Sequence, residues 1–455
     1  MTFSERSSPW VWPLLAGALA AFIYGLQHRM GIEINADGWA YWQGGQSIAD
    51  GLGYRYFSGD PIVAWPPLYS FYLSAWIKLL GSGAFVLDLA NILLIFAQGV
   101  LWTLVYVDLY GHESNGAALG YVAAYVALTI PLYEKQILAH NLTYTILPAF
   151  VIASWRGLNL CGRLGRLFTL ITCCLGMLLV ESHISGIVYV AAAAFSFAVF
   201  PDDCRQERAG AALAVLTIPL ATWILTAWWL AQIDGHPLEG GRFSFIETLL
   251  QMSNGVIDFV LPKLGQVFGL PALIMFSGAL LSVCFKSRCP FEALQDEGGM
   301  ILRQTPARSS KLRLNRTCFV FAFSFIPLLL LAIAFSMTWL NGFVSEPRHL
   351  LIVPLLVIPL LVSYLITSKT AVLKAAALLM FLAPVSRTFL SDTVTSDEFV
   401  PTYASISPIP GFGRTISLDG KTLVGPIAWE EPEGGYSQSG APRWGSSQRG
   451  PAGSR

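Results

Sequence analysis

Blocks of apolar residues near the length of a membrane span recur along the chain, at 10–26, 84–107, 117–132, 140–156, 167–181, 184–200, 209–231, 265–285, 318–340, 348–366 and 371–389. A helix rises about 1.5 Å per residue, so about 20 apolar residues cross a hydrocarbon core of about 30 Å. The pattern predicts an all-α, polytopic membrane protein with about eleven transmembrane helices. Around Glu181 a tight turn must separate two short spans. The segment 67–80, with Lys78 inside it, is too short to span and predicts an interfacial helix. The first block lacks a small-residue cleavage site and is followed by Gln27, His28 and Arg29, so it reads as a retained first span.

Composition agrees with the pattern. Hydrophobic residues make up 54% against 12% charged, and mean hydropathy is +0.58. Net charge is zero, so no global field points to nucleic acid. No nucleotide-binding loop, dinucleotide fingerprint or internal repeat is present by eye.

Basic residues orient the spans. With the N-terminus in the cytoplasm, the inner segments hold fifteen Lys and Arg, and the outer loops before the tail hold seven. All seven cysteines (161, 173, 174, 204, 284, 289 and 318) then fall in spans or cytoplasmic loops, as expected for an oxidising outer face. None shows paired metal-ligand spacing. Localisation follows as an integral, multi-pass protein of the plasma or inner membrane.

This orientation places the stretch 33–76 outside. It combines acids, aromatics, Gly and Pro: Asp37 behind the membrane exit, a short helical segment at 39–50, a Gly-rich turn, then Trp65-Pro66-Pro67-Leu68-Tyr69. Three further outer segments are 131–140, 232–264 and 341–349. The tail from about 391 is rich in Gly, Ser and Pro, and its last part is expected to be disordered. The domain division is therefore 1–390 for the membrane domain, with its first outer loop at 27–83, and 391–455 for an extracytoplasmic tail.

Asp37, flanked by Trp39, Tyr41 and Trp42, suits a general base that takes a proton from a hydroxyl or amine. It suits equally an N-cap of the helix that follows. The double proline fixes an extended approach to the membrane, with Trp65 and Tyr69 at headgroup level. Arg348 can hold a phosphate bidentately or snorkel at the interface beside Glu346. Glu181 and His183 sit at an outer turn and read as a site or as a pair closing that turn. No outer cluster has the ligand count of a dedicated divalent site, and a divalent metal stays open.

The order of these features (a first span, Asp37 with Tyr41 after it, Gly53-Tyr54, then Pro66-Pro67-Leu68-Tyr69 and an apolar helix ending at a glycine) resembles the first outer loop of GT-C glycosyltransferases. The protein O-mannosyltransferase and aminoarabinose transferase group is the nearest in kind. Arg348-His349 leading to Pro354 resembles that group's Arg-Tyr helix start, with His349 where Tyr is usual. The resemblance implies a GT-C-like fold and an inverting transfer of a sugar from a polyprenyl-phosphate carrier on the outer face. The acceptor would be a glycan, lipid or protein. It also implies Asp37 as base, Glu134 as the second acid, and Tyr41, Tyr54, Trp65, Tyr69, Arg348 and His349 as substrate contacts. Gly38 stands where many members have a second acid, and Asn141 is the other position considered for it.

Two other classes compete. A transporter or flippase calls for ionisable residues near mid-span, whereas here charges gather at span ends, Asp88 being an exception. A polysaccharide polymerase or ligase usually carries its large outer loop late in the chain, and the 232–264 loop is only moderate in size.

Overall fold

The computed structural model describes residues 10–28, 32–34, 36–56, 61–62, 65–110, 116–133, 136–160, 162–183, 185–199, 205–234, 319–320, 322–323, 352–356, 399–400, 405–409, 413–418 and 421–425. Helices dominate: α1 (Val11–Gln27), α2 (Ala36–Ala49), α3 (Leu68–Leu80), α4 (Ala84–Tyr110), α5 (Gly116–Tyr133), α6 (Ala139–Asn159), α7 (Gly162–Ser182), α8 (Gly186–Val199), α9 (Arg205–Asp234) and the short α10 (Ile352–Leu356). Seven predicted spans correspond to α1 and α4–α9. The predicted spans 265–285 and 371–389 lie outside the described residues.

Among the described residues, Ala84–Leu109, Gly162–Ser182 and Arg208–Thr226 are long and apolar enough to cross a membrane, and the protein is an integral membrane protein. Helix α6 is as long as α7 but carries His140, Asn141, Thr143 and Thr145 in its first two turns, which lowers its hydropathy. Helix α3 has 13 residues, in keeping with the interfacial helix expected at 67–80.

The chain forms two compact units. The first comprises Met1–Tyr24, Leu93–Glu134 and His140–Ser391. Inside it, α1 and α4 cross closely because both present glycine. A Cβ on Gly17 would stand 2.6 Å from the Phe96 carbonyl, and one on Gly99 would stand 2.7 Å from the Gly17 Cα. Helices α7, α8 and α9 pack on one another. Phe319 and Phe323 pack on α6, with ring centroids 5.1 Å from Trp155 and 6.1 Å from Phe150. At the ends of α4 and α6, the Arg156 guanidinium holds Asp108 with two nitrogens, Nη2 at 2.8 Å and Nε at 3.1 Å.

The second unit comprises Gly25–Ile92, Lys135–Ala139 and Asp392–Arg455. Its centre is the pair α2 and α3. Helix α2 is buried along most of its length, from Trp39 to Ser47. A Cβ on Gly45 would lie 3.1 Å from both the Leu73 Cβ and the Ser70 carbonyl, so glycine brings the two helices together. Helix α2 stops in a Schellman turn: the Leu52 N–H reaches the Ser47 carbonyl at 2.8 Å, and the Gly51 N–H reaches Ile48 at 3.1 Å. Gly51 has φ +78°, a conformation glycine adopts without strain.

Short strands add to this helical frame. Strand β1 (Ile32–Glu33) pairs antiparallel with β2 (Phe399–Val400), Ile32 opposite Val400. Strands β3 (Ser405–Ile409), β4 (Gly413–Leu418) and β5 (Lys421–Gly425) form an antiparallel meander. The 399–400 segment thus pairs with the chain four residues before Asp37.

Candidate functional site

Five of the residues expected to carry chemistry, Asp37, Tyr41, Tyr54, Trp65 and Tyr69, gather on α2, α3 and the turn between them, all in the second unit. Asp37 occupies the first turn of α2 and is half-buried. A carboxylate there is favoured by the unpaired N–H groups and positive end of the helix. Tyr41 follows one turn later on the same face and is only 1% exposed. Its ring stands edge-on to Tyr69, centroids 5.3 Å apart, and 6.0 Å from Trp65. Burial, and then the neighbouring Tyr54, Asp37, Tyr69 and Tyr56, hold its hydroxyl well above the ordinary phenol range. Tyr41 therefore acts as a hydrogen-bond donor at any physiological pH.

The tyrosines divide by what their hydroxyls do. Tyr54 donates to the Trp65 carbonyl at 3.1 Å and ties the Gly-rich turn to the approach of α3. Tyr69 donates to Asn91 Oδ1 at 2.9 Å, and Asn91 is fixed in turn by its Nδ2 on the Leu87 carbonyl at 2.8 Å. Tyr72 donates to the Ala90 carbonyl at 2.6 Å, and burial pushes it up to about 12. These bonds fasten α3 to the first turns of α4. The Tyr41 hydroxyl is buried and makes no hydrogen bond among the described residues, while the Tyr41 carbonyl accepts from Ser70 Oγ at 2.8 Å. A buried hydroxyl without a partner costs about 1–3 kcal/mol. Gln46, on the same helix, also leaves its Oε1 without a hydrogen bond.

Sequence reasoning missed one pairing. His28, just past α1, and Asp88, in the second turn of α4, form a buried hydrogen bond with Nδ1 to Oδ1 at 2.8 Å. The signal was there: Asp88 stands in an apolar block, and a carboxylate in such a place requires a partner. Sixty residues separate the two, and spacing alone does not join them.

In the first unit, the turn around Glu181 is not closed in the expected way. Glu181 Oε1 accepts from the Thr226 hydroxyl at 2.8 Å. His183 accepts the Ser185 N–H on Nδ1 at 3.2 Å and lies against His140, ring centroids 4.2 Å apart. Asn141 is buried at the start of α6, its carbonyl accepting from Gln98 Nε2 at 2.9 Å. No group of three or more His, Cys, Asp or Glu that could hold a metal occurs among the described residues. Glu134, Arg348 and His349 lie outside the described residues.

The fold is shared with solved structures of ArnT. The crystal structure of ArnT from Cupriavidus metallidurans bound to undecaprenyl phosphate superposes with a TM-score of 0.53 at 13% identity, covering 83% of this chain and 64% of that one. Apo ArnT from the same organism gives 0.50 at 14% identity, covering 82% and 63%. The Archaeoglobus fulgidus oligosaccharyltransferase superposes more loosely, at 0.47 and 14% identity, over 82% of this chain and 52% of its own. This chain thus spans less than two thirds of the length of ArnT. No family model matches the sequence, and neither does any curated protein.

Proposed function

We propose that this protein is an inverting glycosyltransferase that moves a sugar from a polyprenyl-phosphate carrier to an acceptor on the extracytoplasmic face. The observation that carries the reading is the pairing of a half-buried carboxylate, Asp37, with the unpartnered Tyr41 hydroxyl one turn away. Both sit on a helix immobilised by aromatic packing. The GT-C fold supports it, as does the undecaprenyl phosphate bound by ArnT.

In the proposed step Asp37 takes the proton of the acceptor's hydroxyl or amine as that atom attacks the anomeric carbon. The sugar–phosphate C–O bond breaks on the opposite face, and the polyprenyl phosphate departs with the negative charge. Arg348 holds that phosphate, with His349 beside it. Tyr41 donates to an oxygen of the bound donor. Tyr54, Tyr69 and Trp65 form the aromatic wall on which the sugar rests. Glu134 supplies the second acid. The excess of inner basic residues supports a cytoplasmic N-terminus and an outward-facing first loop.

The test is purification in mild detergent followed by mass spectrometry of the extracted lipid, then incubation of the purified chain with that lipid and candidate acceptors. A co-purifying polyprenyl-phosphate sugar that is consumed by transfer is the expected result. Solute flux across liposomes with no lipid-linked donor would replace this reading with a transporter.

A further inference from the structure

A cavity of about 280 Å³ lies in the first unit, where α6 turns into α7 and α9 begins. None of its lining takes part in the transfer step. Arg208 lines it and is only 7% exposed. Its Nη2 donates to the Leu158 carbonyl in the last turn of α6 at 2.8 Å, which fixes the plane of the guanidinium. Arg166, exposed on α7, stands on the same lining. Leu160, Phe197 and Ala211 make the rest of the wall largely apolar. Open space continues above α9, since a Cβ on Gly210 would meet nothing within 4 Å.

The surroundings say what kind of molecule enters. Among the described residues, the cavity sits at the ends of the two less buried of three candidate spans: the apolar window of Gly162–Ser182 is 33% buried and that of Arg208–Thr226 is 11%, against 56% for Ala84–Leu109. Leu164 and Leu167 on α7, and Leu213 and Leu216 on α9, are exposed among the described residues. A ligand here meets guanidinium groups at one end and bare leucines at the other. Pockets for small molecules begin near about 300 Å³, so the cavity holds a phosphate and glycerol but not acyl chains, which must run along the leucines outside.

We propose that this cavity binds the phosphodiester headgroup of an anionic membrane lipid, contacted by Arg208 and Arg166. The basic residues Arg156, Arg163, Arg166, Arg205 and Arg208 cluster in this part of the sequence, which assigns the lipid to the cytoplasmic leaflet. Bound there, the lipid ties the ends of α6, α7 and α9 together.

The experiment uses the full chain in detergent micelles doped with equal amounts of phosphatidylglycerol and phosphatidylcholine, analysed by native mass spectrometry. Wild type should retain a single phosphatidylglycerol at collision energies that strip phosphatidylcholine. Arg166→Gln and Arg208→Gln should each weaken retention by about tenfold, the weight of a charge-assisted hydrogen bond. Arg208→Gln also loosens the Leu158 carbonyl, so Gly210→Phe is the independent variant. It fills open space on a helix without touching either arginine, and should abolish retention while the lipid-free melting temperature holds. Equal retention of both lipids, or undiminished phosphatidylglycerol in Gly210→Phe and Arg166→Gln together, would overturn the proposal. Displacement of the lipid by millimolar inorganic phosphate would also overturn it, reassigning the cavity to a soluble anion.

Discussion

Two changes of one atom each, Tyr41→Phe and Tyr69→Phe, should move stability in opposite directions. Both tyrosines are buried and their rings touch, so the loss of apolar contact is the same and small. They differ in the hydroxyl: Tyr69 donates to Asn91 Oδ1 at 2.9 Å, whereas Tyr41 makes no hydrogen bond. Removing the first loses a buried hydrogen bond and deprives the Asn91 oxygen of that donor, a cost of about 1–3 kcal/mol. Removing the second relieves an unsatisfied buried hydroxyl and should stabilise by about 1 kcal/mol. The variants should therefore be separated by about 2–4 kcal/mol, with Tyr41→Phe melting above wild type and Tyr69→Phe below it. Thermal unfolding in detergent, followed by tryptophan fluorescence at matched lipid content, reads this directly. In the transfer assay Tyr41→Phe should nevertheless be slower if its hydroxyl donates to the donor as proposed. If Tyr41→Phe falls as far as Tyr69→Phe, the hydroxyl has a partner in the resting protein and the argument for its role fails.

Other outcomes follow from the same geometry. Asp88→Leu or His28→Leu alone should cost about 1–3 kcal/mol by leaving one member of a buried hydrogen-bonded pair without its partner, and the double change His28→Leu with Asp88→Leu should cost markedly less than the two single losses added together. A loss in the double variant equal to the sum of the two single losses would show that the two do not act as a pair. Gly99→Ala should destabilise by about 1–3 kcal/mol, because its Cβ meets the backbone of Gly17 and Ala16, which cannot yield. Gly210→Ala, with nothing near its Cβ, should be neutral or slightly stabilising, and comparing the two melts separates close packing from helix propensity. A cysteine pair at 32 and 400 should cross-link under mild oxidation, since Ile32 and Val400 face each other across β1 and β2. Failure to cross-link would remove the tail from the first-loop unit.

The helical frame was legible because hydrophobic block length is nearly a direct readout of span length. Seven blocks recur as helices with ends shifted by only a few residues, and 67–80 was correctly set aside as too short. Helix breakers were equally readable: Gly51 and Gly81 end α2 and α3 at positive φ. What stayed hidden was pairing across distance. Nothing in the spacing of His28 and Asp88 joins them, and nothing in the list of tyrosines tells which hydroxyl lacks a partner. The tail held a local signal that was passed over. Asp419-Gly420 lies between Leu418 and Lys421, which pair across β4 and β5, and an Asp-Gly step between alternating residues is a strong hairpin cue. Its Gly, Ser and Pro content masked the alternation.

The central claim is that Asp37 takes the acceptor's proton, and the most direct measurement is the transfer rate of Asp37→Asn set beside its donor binding. The amide keeps the shape and the N-terminal position on α2, so fold, membrane insertion and retention of the polyprenyl-phosphate sugar should survive. The transfer rate should fall by about 100-fold or more, the usual contribution of a positioned base. A variant that folds, binds donor and transfers sugar at close to the wild-type rate would contradict the assignment.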